Sequence, residues 1–307
     1  MGIDASPVAA AIASAKVARA DPRAVDALAV ELLSSSYDPV DVPQGEFWGW
    51  AFHPATLVAL CSLREQLAHI GPDDEPAIVL RAIVLGILHG PLRKGVPTYL
   101  SNQMPRTYAT KPDAAVKFWA ARNMRPPLVD VRDAISRRVA YTLADVPQER
   151  GGKVYCGDST QVLPRLRRRF DWVVTSPPYY RMYTYLPDQW LRAWFLGGLP
   201  HVDYSTDDQL RHTSVEVFVD GLSAVWCRAA ERCNPGAHMA VRFGALPSAE
   251  TAASPETLLR RSLERSGRWK VTRVRDSGEP HAQARQASQM GKAGVYANEV
   301  DVLAVLQ

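Results

Sequence analysis

The stretch Asp171-Trp-Val-Val-Thr-Ser-Pro-Pro-Tyr179 decides how this sequence is interpreted. The residues Trp172 to Thr175 predict a short, largely apolar strand. Ser176 and the two prolines that follow end the strand, because proline has no N–H group to donate to a sheet. Open α/β sheets bind their ligands at the carboxyl ends of such strands. The stretch therefore predicts a functional loop at one edge of a sheet.

The loop has the groups needed to hold an aromatic amine. The exocyclic amine of a nucleic-acid base is a poor nucleophile, because its lone pair is delocalised into the ring. The Ser176 hydroxyl and the Pro177 carbonyl can accept its two hydrogens and so aim the nitrogen. Pro178 stiffens the loop, and the Tyr179 ring offers a stacking surface for an extruded base. The alternative is a tight Pro-Pro turn with a surface tyrosine.

The sequence on both sides of this loop predicts an α/β fold. Residues 151–307 alternate strand and helix patterns, which favours a mostly parallel sheet covered by helices, ending in an antiparallel pair of strands. The predicted strands are Lys153–Cys156, His238–Phe243, Trp269–Arg275 and Val300–Val305, and the predicted helices are Gln161–Arg168, Val215–Arg232 and Pro255–Ser266. We expect these residues to form the catalytic core.

The first half of the chain divides into two parts. Residues 1–20 predict a strand that ends at Asp4 and a helix over Ala5–Ala20, which together fit the second βα unit of a nucleotide-binding sheet. Residues 21–150 predict a helical and irregular insert, with helices over Ala55–Ile70 and Glu75–His89. We expect this insert to recognise the target.

Positive charge is concentrated within the insert. The chain has a net charge of +4, but residues 81–140 contain eleven Arg and Lys against three Asp, so this block is +8 and the remainder is −4. A concentrated positive block is what a phosphate-facing surface requires. A solvated helical face is the alternative.

The loop Ser176-Pro177-Pro178-Tyr179, placed after an apolar strand, resembles the catalytic motif of S-adenosylmethionine (SAM)-dependent DNA amino-methyltransferases. Those enzymes form N4-methylcytosine or N6-methyladenine. The resemblance implies a Rossmann-like sheet, catalytic roles for Ser176, Pro177 and Pro178 at the target amine, and stacking of Tyr179 on the base. A subfamily of these methyltransferases is also resembled by two further stretches: Tyr179–Gly198, and Arg285-Gln286-Ala287 leading to Glu299-Val300-Asp301.

The resemblance also implies a cofactor site. Asp158, in Tyr155-Cys156-Gly157-Asp158-Ser159, corresponds to the family's strand-end aspartate and is expected to approach the cofactor adenine. Asp158 also reads as the N-cap of the next helix, and the two roles are compatible. Asp4 corresponds to the acidic residue that accepts hydrogen bonds from the ribose hydroxyls. We expect Asp4, Asp158 and Thr175 to contact SAM.

The family's glycine-rich first motif does not occur in this sequence; Gly197-Gly198 and Phe243-Gly244 lie in the wrong context for it. The strand before that motif is central in the family's sheet. The fold is therefore expected to lack one central strand and to have two unpaired strand edges. Three explanations are open: a truncated reading frame, which we favour; a separate polypeptide that supplies the motif; and a degenerate remnant.

Target recognition is expected from Tyr99-Leu-Ser-Asn-Gln-Met-Pro-Arg-Thr-Tyr108 and the lysines that follow it. Amides and Arg106 can read base edges, while Lys111 and Lys117 can offset phosphate charge. Asn102 and Gln103 within this stretch could instead cap helices. A second basic run, which includes Arg167 and Arg168, is expected near the catalytic loop, on the backbone of the flipped nucleotide.

The resemblance implies a site-specific DNA methyltransferase of a bacterial modification or defence system, with cytosine N4 favoured over adenine N6 because the family more often has serine at the position of Ser176 for that target. The alternatives are an RNA base methyltransferase and a DNA-binding subunit that needs a partner chain for the cofactor. The sequence has no metal-ligand spacing, no apolar run of the roughly 18 residues that a membrane span needs, and no signal-peptide pattern. We therefore expect no metal site, no membrane contact and a cytoplasmic location.

Overall fold

The structure is a computed structural model that describes residues 1–90, 98–103, 110–145, 151–180, 186–205, 210, 213–244, 254–278 and 299–307. The chain divides into two compact units. The first contains Met1–Cys156 and Leu186–Tyr204, and the second contains Gly157–Tyr185 and Ser205–Gln307. Each unit has its own sheet and its own helices.

The first unit is mainly helical. In chain order its elements are β1 (Gly2–Asp4), α1 (Pro7–Val17), α2 (Pro22–Ser34), α3 (Glu46–Ala51), α4 (Pro54–Ala68), α5 (Glu75–Ile87), α6 (Pro112–Ala120), α7 (Val131–Thr142) and β2 (Val154–Cys156). After α8 (Ser159–Val162) and β3 (Phe170–Thr175), which belong to the second unit, it adds α9 (Trp190–Phe195). Strands β1 and β2 pair in parallel, with Asp4 opposite Cys156.

Local sequence explains where these helices begin. The side chains of Ser6, Asp21 and His53 each accept a hydrogen bond from a backbone N–H in the first turn, and each is followed directly by proline. Proline suits this position because its fixed φ is helical and the N–H that it lacks would have no intrahelical partner. The helices predicted over Ala5–Ala20, Ala55–Ile70 and Glu75–His89 are confirmed, with ends that differ by at most three residues.

The core of the first unit consists of apolar and aromatic side chains from α1 to α7 and α9. Trp119 and Trp194 are fully buried in it, and Trp48 lies between Trp190 and Trp194 with ring centroids 5.9 and 4.5 Å away. Arg81 belongs to the positive block but donates to the carbonyls of Leu67 and Ile70 at the end of α4. Part of the positive block therefore stabilises the insert itself.

The second unit contains a four-stranded sheet in the order β3-β4-β6-β5. Its other elements are α10 (Val215–Glu231), β4 (Cys233–Gly244), α11 (Pro255–Ser266), β5 (Trp269–Gly278) and β6 (Glu299–Leu306). Strands β3 and β4 are parallel, whereas β6 is antiparallel to β4 and to β5. The predicted α/β class is confirmed, and so is the antiparallel terminal pair. The expectation of a mostly parallel sheet was wrong for this unit, because one of its three described strand pairings is parallel.

Helices α10 and α11 pack on one face of this sheet. The Trp226 indole donates to the Ser262 hydroxyl at 2.9 Å, and the Trp269 indole donates to the Trp226 carbonyl at 3.0 Å. The opposite face is open at β3, where Trp172 and Val174 are 58% and 79% exposed. Antiparallel pairings allow one face of a sheet to meet solvent, and here the open face lies at β3, the edge strand of the parallel pair.

Strands β1 and β3 each have one hydrogen-bonded neighbour among the residues that the structure describes. Strands β2 and β5 also have one neighbour each, so the expectation that a central strand is missing between β1 and β3 stays a prediction. One helix prediction was wrong: instead of Gln161–Arg168, the helix is the single turn α8, followed by a 3₁₀ turn over Leu163–Arg165. Pro164 explains the break, because its ring clashes with the carbonyl of the preceding helical turn. No helix in the described part of the chain is long and apolar enough to cross a membrane.

Candidate active site

The catalytic loop predicted from the sequence leaves the second unit's sheet at the carboxyl end of β3. Thr175 is the last residue of β3 and pairs with Val241 of β4. Ser176 follows it, exposed to solvent, and its hydroxyl makes no hydrogen bond with any described residue. The oxygen therefore remains available to accept a hydrogen bond from a ligand.

A buried tyrosine anchors the end of this loop that lies away from β3. Tyr180 is 2% exposed, and its ring packs edge-on against Phe218 of α10, with centroids 5.0 Å apart. Phe218 in turn stacks on Phe243 at 5.8 Å. Tyr180 was not identified from the sequence, although an aromatic residue next to a catalytic tyrosine is a natural candidate for an anchor. It ties the loop to the helix that supports the sheet.

The Tyr179 ring lies at the end of the central strands. Its centroid is 6.3 Å from that of Phe243, edge-on. A Cβ atom added to Gly244 would lie 2.8 Å from the ring, so the ring occupies the space that the absent side chain leaves. The Tyr179 hydroxyl donates a hydrogen bond to the Glu299 carboxylate. Burial raises the pKa of Tyr179, and the hydrogen bond and charge of Glu299 raise it further.

Sequence reasoning gave no role to Gly244 or Glu299. Phe243-Gly244 was considered only as a glycine-rich motif, and Glu299 only as part of a resembling segment. The signal that was missed is topological. Because β6 runs antiparallel to β4, its first residue, Glu299, lies opposite the last residue of β4, Gly244, at the edge from which the loop leaves.

An ion pair adjoins this edge. Arg242 of β4 donates two hydrogen bonds of 2.8 Å to Asp301 of β6. This contact with Arg242 is the main cause that lowers the pKa of Asp301 to about 2. Both hydrogen bonds of the Arg242 guanidinium therefore go to Asp301, which lies two residues from Glu299 along β6.

The two predicted cofactor aspartates lie at or just after the carboxyl ends of short strands: Asp4 is the last residue of β1, and Asp158 follows β2 after Gly157. In the first unit, Asp4 ends β1, and its Oδ1 accepts the Ser6 N–H at 2.8 Å. In the second unit, Asp158 caps α8, with Oδ1 accepting from the Thr160 N–H at 2.7 Å and from its hydroxyl at 2.9 Å. The capping role expected for Asp158 is confirmed. Neither Oδ2 has a hydrogen-bond donor among the described residues, so each carboxylate can accept from a ligand hydroxyl or amine.

The predicted nucleic-acid contacts lie in different places. Lys111 and Lys117 line a cavity of about 460 Å³ in the first unit, together with His201 and Tyr204. Arg106 lies outside the described residues. Asn102 is fully buried, and its amide donates to the carbonyls of Trp50 and Met124, so it holds the insert together and is not available to read a base.

The second basic run does not lie beside the loop. Arg167 and Arg168 are exposed and precede the amino end of β3, whereas Ser176 follows its carboxyl end. The six residues of β3 separate these two ends by about 16 Å at the usual rise per residue. The expectation that this run lies near the catalytic loop was therefore wrong, because the intervening strand is fully extended.

The chain was compared with known proteins. No family model and no curated protein matches it. A SAM-dependent methyltransferase from Methanosarcina mazei is 13% identical, with 55% of this chain and 76% of that chain covered and a TM-score of 0.27. TrmN from Thermus thermophilus is 13% identical, with 63% and 41% covered and a TM-score of 0.23. Structural similarity at this level carries no assignment, so the α/β class of the chain rests on its own strands and helices.

Proposed function

We propose that the chain is a SAM-dependent methyltransferase that acts on an exocyclic amine of a DNA base, with cytosine N4 favoured over adenine N6. The observation that carries this proposal is the loop after β3. Ser176 presents an exposed hydroxyl without a hydrogen-bond partner in the described structure, and the Tyr179 ring is held three residues later. An acceptor and an aromatic face this close suit a flipped base.

In the proposed reaction the loop aims the amine nitrogen. The Ser176 hydroxyl and the Pro177 carbonyl accept its two hydrogens, so that the lone pair faces the methyl donor, while Tyr179 stacks on the ring. Bound SAM supplies the electrophilic methyl group on its sulfonium sulfur. In the second unit, Asp158, with one carboxylate oxygen engaged in capping α8, would accept from the adenine amine, and Thr175 is a further proposed cofactor contact. In the first unit, Asp4, with one oxygen engaged by the Ser6 N–H, is the proposed acceptor for the ribose hydroxyls.

The DNA backbone would be held elsewhere by cations. The cavity that Lys111 and Lys117 line in the first unit suits a phosphate, with His201 and Tyr204 as further donors. Arg106, Arg167 and Arg168 remain proposed phosphate contacts. The modification or defence setting and the cytoplasmic location likewise remain proposals.

Methyl transfer with labelled SAM tests the proposal. The chain is incubated with unmethylated DNA or with RNA, and the nucleosides are separated by mass spectrometry. We expect N4-methyldeoxycytidine, and a rate about 100-fold lower for Ser176→Ala, because the amine is then misaligned. Ser36→Ala, an exposed serine of the first unit, is the matched control and should leave the rate unchanged. A methylated ribonucleoside would support the RNA alternative instead.

A second function is favoured by the unpaired edges of β1 and β3. A chain with such edges suits a DNA-binding subunit whose cofactor motif comes from an upstream segment or a separate polypeptide. Calorimetric titration with SAM separates the two functions. Micromolar binding by this chain alone would support the complete enzyme. DNA binding without SAM binding, restored by a segment that supplies a glycine-rich strand and turn, would support the subunit.

A further inference from the structure

Glu299 is placed to control the orientation of the Tyr179 ring. It is the first residue of β6 and lies opposite Gly244, the last residue of β4. Its carboxylate accepts the hydrogen bond of the Tyr179 hydroxyl across 120 residues of sequence. The contact joins the loop after β3 to a strand on the far side of β4.

The hydrogen bond completes a set of restraints around the ring. Phe243 contacts it edge-on, and the backbone of Gly244 passes beneath it where any side chain would collide. The Tyr179 phenol is protonated and able to donate at neutral pH, as tyrosine ordinarily is, and burial and Glu299 raise its pKa further. Arg242, the nearby cation, is held in two hydrogen bonds by Asp301.

We propose that Glu299 is a positioning residue that fixes the Tyr179 ring in its stacking orientation before a base enters. This inference rests on the proposed function, in which Tyr179 stacks on the flipped base. A ring held in advance loses less rotational freedom when the base arrives, and each such side chain alters affinity by about 2- to 10-fold. Glu299 acts through Tyr179 and does not touch the base.

The first test needs neither DNA nor SAM. Tyr179 is replaced by 3-fluorotyrosine, and the ionisation of its phenol is followed by fluorine NMR as a function of pH. We expect Glu299→Ala to lower the Tyr179 pKa by about one unit, because both a carboxylate charge and a hydrogen-bond acceptor are lost. Glu264→Ala, which removes an exposed carboxylate from α11, should leave it unchanged. An unaltered titration in Glu299→Ala would overturn the proposal.

The second test uses methyl transfer. Glu299→Ala and Tyr179→Phe should each raise the KM for DNA about 2- to 10-fold. The double variant should have a KM no higher than either single variant, because both changes remove the same hydrogen bond. Glu299→Gln should remain near wild type, because its amide oxygen still accepts from the phenol. If the effects of the two single changes on KM add in the double variant, Glu299 does not act through Tyr179, and the proposal is overturned. A wild-type chain that shows the expected titration but methylates no DNA would contradict the proposed function alone.

Discussion

Tyr179 shows how a surface loop residue becomes oriented. A tyrosine in a proline-rich turn would ordinarily rotate in solvent, but this ring has an aromatic neighbour, a carboxylate partner and a glycine backbone around it. The three contacts come from Phe243, Glu299 and Gly244, on two strands that lie far from the loop in sequence. The orientation is therefore a property of the fold and not of the tetrapeptide.

Gly244 is the residue whose replacement tests that orientation most directly. Gly244→Ala puts a methyl group 2.8 Å from the Tyr179 ring, too close for any real contact, so the ring must move. We expect a loss of about 1–3 kcal/mol in the free energy of unfolding, as for overpacked sites, together with weaker DNA methylation. Urea denaturation measures the first effect.

Gly86→Ala is the matched control. Gly86 lies within α5, where an added Cβ meets nothing within 4 Å, so this change should stabilise the chain by about 0.5–1 kcal/mol. Equal behaviour of the two variants would show that the ring is not confined.

At the scale of elements, most helices and strands follow from local pattern. The helix Pro255–Ser266 is found where its Ser-Pro start and its following glycine predict it. Prediction failed where two signals competed: the spacing of Gln161–Arg168 favoured a helix, but Pro164 stops it after one turn. Only part of the candidate site could be predicted from the sequence. Ser176 and Tyr179 stand in one motif, whereas Gly244 and Glu299 join them only through strand register.

The Arg242–Asp301 pair joins β4 to β6 and gives this strand pair a pH dependence. Because the pKa of Asp301 is lowered to about 2 in the folded chain, its contribution to stability is complete above its unfolded pKa of about 4 and is lost as pH falls toward 2. Both side chains are partly exposed, so we expect about 1 kcal/mol.

Urea denaturation of Asp301→Asn at several pH values measures this contribution. The variant should be less stable than wild type by that amount at pH 5–7, and the difference should shrink below about pH 4. Asp38→Asn, at an exposed aspartate that makes no ion pair with any described residue, should show no difference. A loss that is constant with pH would instead indicate altered packing.

At the scale of the whole molecule, the edge of β3 that has no strand partner among the described residues adjoins the open face of the sheet. Trp172 and Val174 point to this face, and across β4 their neighbours His238 and Ala240 continue it, with Trp172 stacked on His238 at 4.8 Å. An exposed strand edge with apolar side chains is a template for another strand. The second unit thus offers one surface that suits either a complementing segment or a second copy of the chain.

Val174→Lys tests whether the β3 edge pairs with a second copy, without altering the stability of the fold. Val174 is 79% exposed, so the change should alter the free energy of unfolding by less than about 0.5 kcal/mol. If two copies pair through the β3 edge, a lysine there opposes the pairing, and self-association measured by sedimentation should weaken about tenfold or more. Val40→Lys, at a valine that is 90% exposed outside any strand, should leave association unchanged. If both variants associate like wild type, the β3 edge does not pair with a second copy, and a complementing segment becomes the stronger candidate for its partner.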